Sequence, residues 1–119
     1  MLGVDQVEVV RGCVRVRGLA GCDARRARAL LMMIDQTIAR SGIRRVLVDR
    51  RDAAELTEEV EAIFRHWLES ARSFERLGVV GLGNMERIGT NMRALARKLE
   101  VRAFEDVDEA EDWLARKSP

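Results

Sequence analysis

Arg44-Arg45-Val46-Leu47-Val48-Asp49-Arg50-Arg51 decides the fold. Its centre, Val46-Leu47-Val48, is a continuous apolar run, which reads as a strand covered on both faces. Such strands belong to sheets whose crossover helices cover them. Downstream, Val60, Ile63, Phe64, Trp67, Leu68 and Ala71 recur in one helical stripe, with Glu58, Glu59, Glu61 and Glu69 off it. That helix starts either at a capping box, Asp52-Ala53-Ala54-Glu55, or at Thr57 as cap. Another two-sided strand is expected at 77–82, led by Val79-Val80. Gly81-Leu82-Gly83-Asn84 then turns the chain into a helix whose inner face is expected to carry Ile88, Met92, Leu95, Ala96 and Leu99. A short strand at 101–104 and a last helix follow. That helix is read as starting at Asp108-Glu109-Ala110-Glu111 and packing Val107, Ala110, Trp113 and Leu114 inward.

Upstream of the deciding stretch, Val7-Glu8-Val9-Val10-Arg11 and Val14-Arg15-Val16-Arg17 alternate apolar with polar, the period of half-buried strands. The Gly12 between them marks a hairpin. Asp23 is a good helix cap, Ala27, Leu30, Leu31, Ile34 and Ile38 form a helical stripe, and Ser41-Gly42 ends it. The order is strand, strand, then three helix–strand pairs and a final helix. That is an α/β fold: a small mixed, mostly parallel sheet of about five strands flanked by four helices, with the first strand antiparallel at one edge. With 119 residues, no internal repeat and no proline before Pro119, residues 1–119 read as one domain.

Composition removes several classes. An apolar fraction of 47% beside 34% charged residues separates the chain from disordered and fibrous proteins. The longest uncharged apolar run, 29–34, is far short of the ~20 residues of a membrane span. Residues 1–10 lack the basic start and apolar stretch of a signal peptide, so the expected compartment is the cytoplasm. Cys13 and Cys22 are too few for a disulfide framework, and with His66 they make no zinc site. No metal or cofactor is expected. The net charge of +1 hides an asymmetry: residues 1–51 carry a surplus of six positive charges and residues 52–119 a surplus of five negative ones. Without aromatic residues among the arginines, nucleic acid is not an expected partner.

The motifs with chemical overtones have plainer readings. Gly81-x-Gly83 precedes a helix, where phosphate could meet free N–H groups, but the third glycine of a dinucleotide fingerprint would fall on Glu86 and no P-loop lysine follows. It reads as a turn. His66 lies beside its helix's apolar stripe, at the surface or its boundary, with no nucleophile patterned to it. Glu58-Glu59 and Asp108-Glu109 sit in first helical turns, where they complement the macrodipole. Met32 and Met33 broaden the apolar width of the first helix, the kind of surface used by adaptable binding faces as well as by cores.

Two local patterns carry a family resemblance. Gly42-Ile43-Arg44-Arg45-Val46-Leu47-Val48-Asp49 followed by Arg51-Asp52 is a strand running out into a charged loop. Arg102-Ala103-Phe104-Glu105-Asp106-Val107-Asp108-Glu109-Ala110-Glu111-Asp112-Trp113-Leu114 is a closing strand and helix. With Val79-Val80-Gly81 between them, the order resembles the SpoIIAA-like branch of the STAS superfamily, also described as STAS/SEC14-like. The resemblance implies a small mixed sheet flanked by helices, and a relation to anti-anti-sigma factors, which dock a kinase and are switched by phosphorylation of a Ser. Here the corresponding stretch, Asp49-Arg50-Arg51-Asp52-Ala53-Ala54-Glu55-Leu56-Thr57, has no Ser, and Thr57 is its only hydroxyl.

The expectation is therefore a non-enzymatic regulatory or protein-interaction domain. Its docking residues would be Arg50, Arg51, Asp52 and Thr57, with Thr57 as the phosphosite if one exists. The partner would be another protein or a second copy of the chain, joined through a helix surface or the uncovered first strand. The alternative is a module for a lipid or other small apolar ligand. Both Trp67 and Trp113 are expected to be largely buried, each lying in a helical apolar stripe.

Overall fold

The computed structural model describes residues 7–17, 19, 21–51, 56–70 and 73–116. Within them run β1 (Val7–Val10), β2 (Cys13–Val16), α1 (Ala24–Ser41), β3 (Arg45–Asp49), α2 (Glu58–Ser70), β4 (Arg76–Val80), α3 (Asn84–Ala96), β5 (Val101–Phe104) and α4 (Val107–Ala115). The sheet order is β1-β2-β3-β4-β5. The β1–β2 pair is antiparallel and the other three pairs are parallel. The fold class is the one expected.

Local chemistry accounts for the boundaries. Arg11 and Gly12 both take positive φ, 52° and 79°, the tight hairpin turn whose twist matches the strands. Asp23 caps α1, its carboxylate accepting the Arg26 N–H at 2.8 Å, and Gly42 at φ 76° closes it with its N–H on the Ile38 carbonyl. Of the two starts open for α2, the Thr57 hydroxyl accepts the Val60 N–H at 3.2 Å, while 52–55 lie outside the described residues. For α4 the cap is Asp106, which accepts the Glu109 N–H at 2.8 Å. The helix thus starts two residues before the expected Asp108, because Asp106 has the extended backbone a cap needs.

From β2 to β5 each crossover steps one strand the same way. With one handedness for all crossovers, α1, α2 and α3 must share a face. Val14, Val16, Val46, Leu77, Val79 and Val101 point to that face and pack with Leu30, Leu31, Ile34 and Ile38 of α1. The alternate strand residues point the other way, where Ala110, Trp113 and Leu114 of α4 cover Cys13, Leu47 and Val80. Arginines hold α4 down. Arg76 Nη1 donates to the Trp113 and Arg116 carbonyls at 2.9 and 3.1 Å, and Arg45 Nη1 donates to the Leu114 and Arg116 carbonyls. These cations satisfy the open carbonyls of the helix C-terminus. The Arg76 and Arg102 guanidinium carbons each lie 5.2 Å from the Trp113 ring centroid.

Two expectations about packing need correction. The stripe of α3 is real but does not face inward: Met85 (85% exposed), Ile88 (50%), Met92 (66%) and Leu95 (82%) point to solvent and Ala96 is exposed with them, while Leu99, past the helix end, packs against the core as expected. Asn91 sets this rotation. Its Oδ1 accepts the Ala103 N–H at 2.7 Å and its Nδ2 donates to the Ala103 carbonyl at 3.2 Å. Arg87 adds an ion pair to Glu105 at 3.1 Å. Arg87, Asn91 and Ala94 therefore turn toward β5, and the apolar stripe is carried outward. As a consequence α2 is not covered by α3. Val60 is buried, but Ile63, Phe64, Trp67 and Leu68 are only half-buried. Trp113 is buried as expected, whereas Trp67 is half-buried with its indole N–H 3.4 Å from Asp35 Oδ2.

Candidate functional site

The carboxyl ends of β3 and β4 meet where sites in such sheets form. Asp49, the last residue of β3, is buried. Its Oδ1 accepts from Arg51 N and Nε at 3.1 and 3.0 Å, and its Oδ2 lies 2.8 Å from Arg51 Nη2 and 3.5 Å from Arg15 Nη2. The hydrogen bonds from Arg51 outweigh burial and hold the Asp49 carboxyl below its ordinary pKa. Arg50 turns the other way. Its Nη1 pairs with Glu61 Oε1 at 3.2 Å, its side chain is 13% exposed, and its Nε is buried without a partner among the described residues. The Arg50 N–H donates to the Val80 carbonyl at 2.7 Å. A Cβ on Gly81, which has φ 103°, would stand 2.5 Å from Arg51 N, so only glycine lets the two strand ends approach this closely.

Of the four expected docking residues, the three described ones point in different directions. Arg50 points inward toward α2, Arg51 stays 57% exposed while bound to Asp49, and exposed Thr57 spends its hydroxyl as a cap. Asp52 lies outside the described residues. His66 is exposed on α2. Burial pushes the thiols of Cys13 and Cys22 up in pKa, away from the thiolate a nucleophile needs. Among the described residues, no three His, Cys, Asp or Glu side chains converge to hold a metal ion. No helix there is long and apolar enough to cross a membrane.

An apolar concave feature lies elsewhere, between α2 and α3 over the sheet. It is an open groove of about 290 Å³. Leu77, Val79 and Val101 form its floor, Phe64 and Leu68 one wall, Gly89 and Thr90 the other. Charged residues ring it. Arg50 and Glu61 pair at one end; Arg97 and Glu69 link α3 to α2 at 3.3 Å at the other. Sequence reasoning missed this groove because it turned the α3 stripe inward, which would have filled the space. The signal was present: Asn91 and Gly89 are poor helix formers in mid-helix, and a polar residue held there marks the side that meets backbone.

Comparison with known proteins places this geometry. The SpoIIAA-like family pattern matches residues 13–115. No curated protein matches the chain. Among solved structures, the NMR structure of the protein TM1081 is similar with a TM-score of 0.72 at 14% identity, covering 98% of this chain and 93% of that one. An uncharacterized protein of the DUF3478 family with a SpoIIAA-like fold, from Shewanella loihica PV-4, is similar with a TM-score of 0.59 at 22% identity, covering 92% and 90%. At family level the SpoIIAA-like match supports a regulatory or interaction domain. Matched from the first residue of β2 to the last residue of α4, the chain belongs to the SpoIIAA-like family.

Proposed function

We propose that this chain is a non-enzymatic, cytoplasmic regulatory domain that works by binding, and that the groove between α2 and α3 takes a small apolar ligand. One observation carries the reading: an open, largely apolar groove of about 290 Å³ over the sheet. That is close to the ~300 Å³ lower end of small-molecule sites. Apolar surface left in a concave floor is surface that a ligand's burial would remove from water. Half-buried Trp67 lines it and reports on occupancy. Titration with Nile red is expected to give saturable, one-to-one binding with a change in Trp67 emission, absent in Trp67→Phe, and dodecanol is expected to displace the dye. Absence of saturable binding at concentrations on the order of 100 µM, where even weak sites of about −5 to −6 kcal/mol would fill, defeats the reading.

A second observation favours docking of a protein partner. The outward stripe of Met85, Ile88, Met92 and Leu95 is a contiguous apolar helix face of the kind that marks interaction sites, and two of its members are adaptable methionines. The docking role expected for Arg50, Arg51, Asp52 and Thr57 belongs to this reading, with Arg51 the more exposed of the two arginines. Pull-down with the wild type set against Met85→Gln/Met92→Gln tests it; capture of the same protein by both leaves the stripe without a role.

A further inference from the structure

The charged side chains at the groove mouth are arranged in steps. Both helices connect parallel strands in the same sense, so they run in the same direction. Glu69 on α2 and Arg97 on α3 form one step, paired at 3.3 Å. Residues four apart on a helix are neighbours on one side of it. One turn earlier on the two walls stand Arg65 and Arg93, both exposed and both lining the groove. Neither side chain makes an ion pair or hydrogen bond with another described residue. One turn earlier again come Glu61, drawn away to Arg50, and Gly89, which has no side chain.

Gly89 is informative. A glycine in a helix interior costs about 1 kcal/mol relative to Ala, and this one has no positive φ to explain it. A Cβ there would lie 3.4 Å from Arg93 Nη1, an ordinary contact, which places the Arg93 guanidinium back along this stretch of the groove wall. Glu86, in the first turn of α3, is the one acid of the lining without a described cation partner, and it sits where it complements the helix N-terminus. Two like charges thus stand on opposite walls above an apolar floor. An anion between them would relieve their repulsion and take charge-assisted hydrogen bonds from both.

We propose that the groove's ligand is a single-chain amphiphile with an anionic head: the alkyl chain lies on the floor of Leu77, Val79 and Val101, and the head sits between Arg65 and Arg93. This rests on the groove being a ligand site. The shared chemistry is a negatively charged oxygen head, carboxylate or phosphate, on an unbranched chain.

Calorimetric titration of the full chain with dodecanoate, dodecyl phosphate and uncharged dodecanol, each below its micelle concentration, tests it. Dodecanoate or dodecyl phosphate is expected to bind about ten-fold more tightly than dodecanol, the size of one modest charge-assisted hydrogen bond. Whichever of the two binds tighter names the head. Arg65→Gln/Arg93→Gln should erase the preference while dodecanol binding persists, and the control Arg25→Gln/Arg28→Gln, on the exposed side of α1, should retain it. Should the double variant fail to fold, raising salt to about 0.5 M on the wild type must shrink the preference instead, because the head contacts are exposed. Equal binding of all three ligands by the wild type, or a preference untouched by the double variant or by salt, overturns the anionic head and leaves the groove reading standing. No binding of any of the three overturns both.

Discussion

Asn91→Ala should release α3 from the sheet edge. In the wild type the Asn91 amide meets both backbone groups of Ala103, taking its N–H at 2.7 Å and donating to its carbonyl at 3.2 Å. Ala103 is buried, so its N–H would have no water to turn to once the amide is gone. Leaving a buried donor unsatisfied costs about 1–3 kcal/mol. The longer bond to the carbonyl adds about 0.5–1 kcal/mol. Ala is the better helix former by roughly 0.5 kcal/mol, which offsets part of this. The net loss is about 2 kcal/mol, a large part of the ~5–15 kcal/mol a domain has. Urea unfolding followed by circular dichroism measures it, read as a fall in midpoint at unchanged slope. Asn91→Asp keeps the acceptor but cannot donate to the Ala103 carbonyl, so it too should destabilise. If Asn91→Ala loses less than about 0.5 kcal/mol, the amide does not set the rotation of α3, and the outward position of its apolar stripe needs another cause.

The other expectations concern the strand ends and the stripe. Gly81→Ala places a Cβ 2.5 Å from Arg51 N at φ 103° and should cost about 2–5 kcal/mol from overpacking and backbone strain together, read from the same urea curves; a loss under about 1 kcal/mol means the strand ends are not in close contact. Asp49→Asn should cost about 2–3 kcal/mol at pH 7 by leaving Arg15 and Arg51 without their carboxylate. Because the folded state depresses the Asp49 pKa, its stabilisation is present above the unfolded value near 3.9 and fades as pH falls through the lower folded value. The variant should therefore lose less stability than the wild type between about pH 5 and pH 2, and parallel acid curves contradict the assignment. Replacing Met85, Ile88, Met92 and Leu95 together by Gln should leave stability within about 2 kcal/mol, since exposed sites shift it by about 0.5 kcal/mol each. A larger loss, or a wild-type dimer that sediments as a monomer once substituted, shows the stripe to be covered in solution.

Much of this molecule is written within a turn or two of each residue. Val46-Leu47-Val48 states that a strand is covered on both faces, Asp23 and Gly42 bracket α1, and Gly12 makes the hairpin, because apolar period, caps and turn conformations depend on neighbours in the chain. That the crossovers join parallel strands follows from the same alternation, but the direction in which each one steps along the sheet does not. What no local pattern holds is the rotation of a helix about its own axis. The α3 period was legible, yet a stripe at that period says only that one face is apolar and not which face meets the sheet. Ala103, twelve residues beyond Asn91, is what the polar side of α3 meets, and the four apolar side chains are left in water on the opposite side. The groove exists because of that rotation. Trp67 stays half-buried, Arg50 is drawn in toward Glu61, and Arg65 stands opposite Arg93. These placements join residues far apart in the chain, and their energies appear only when the elements have packed.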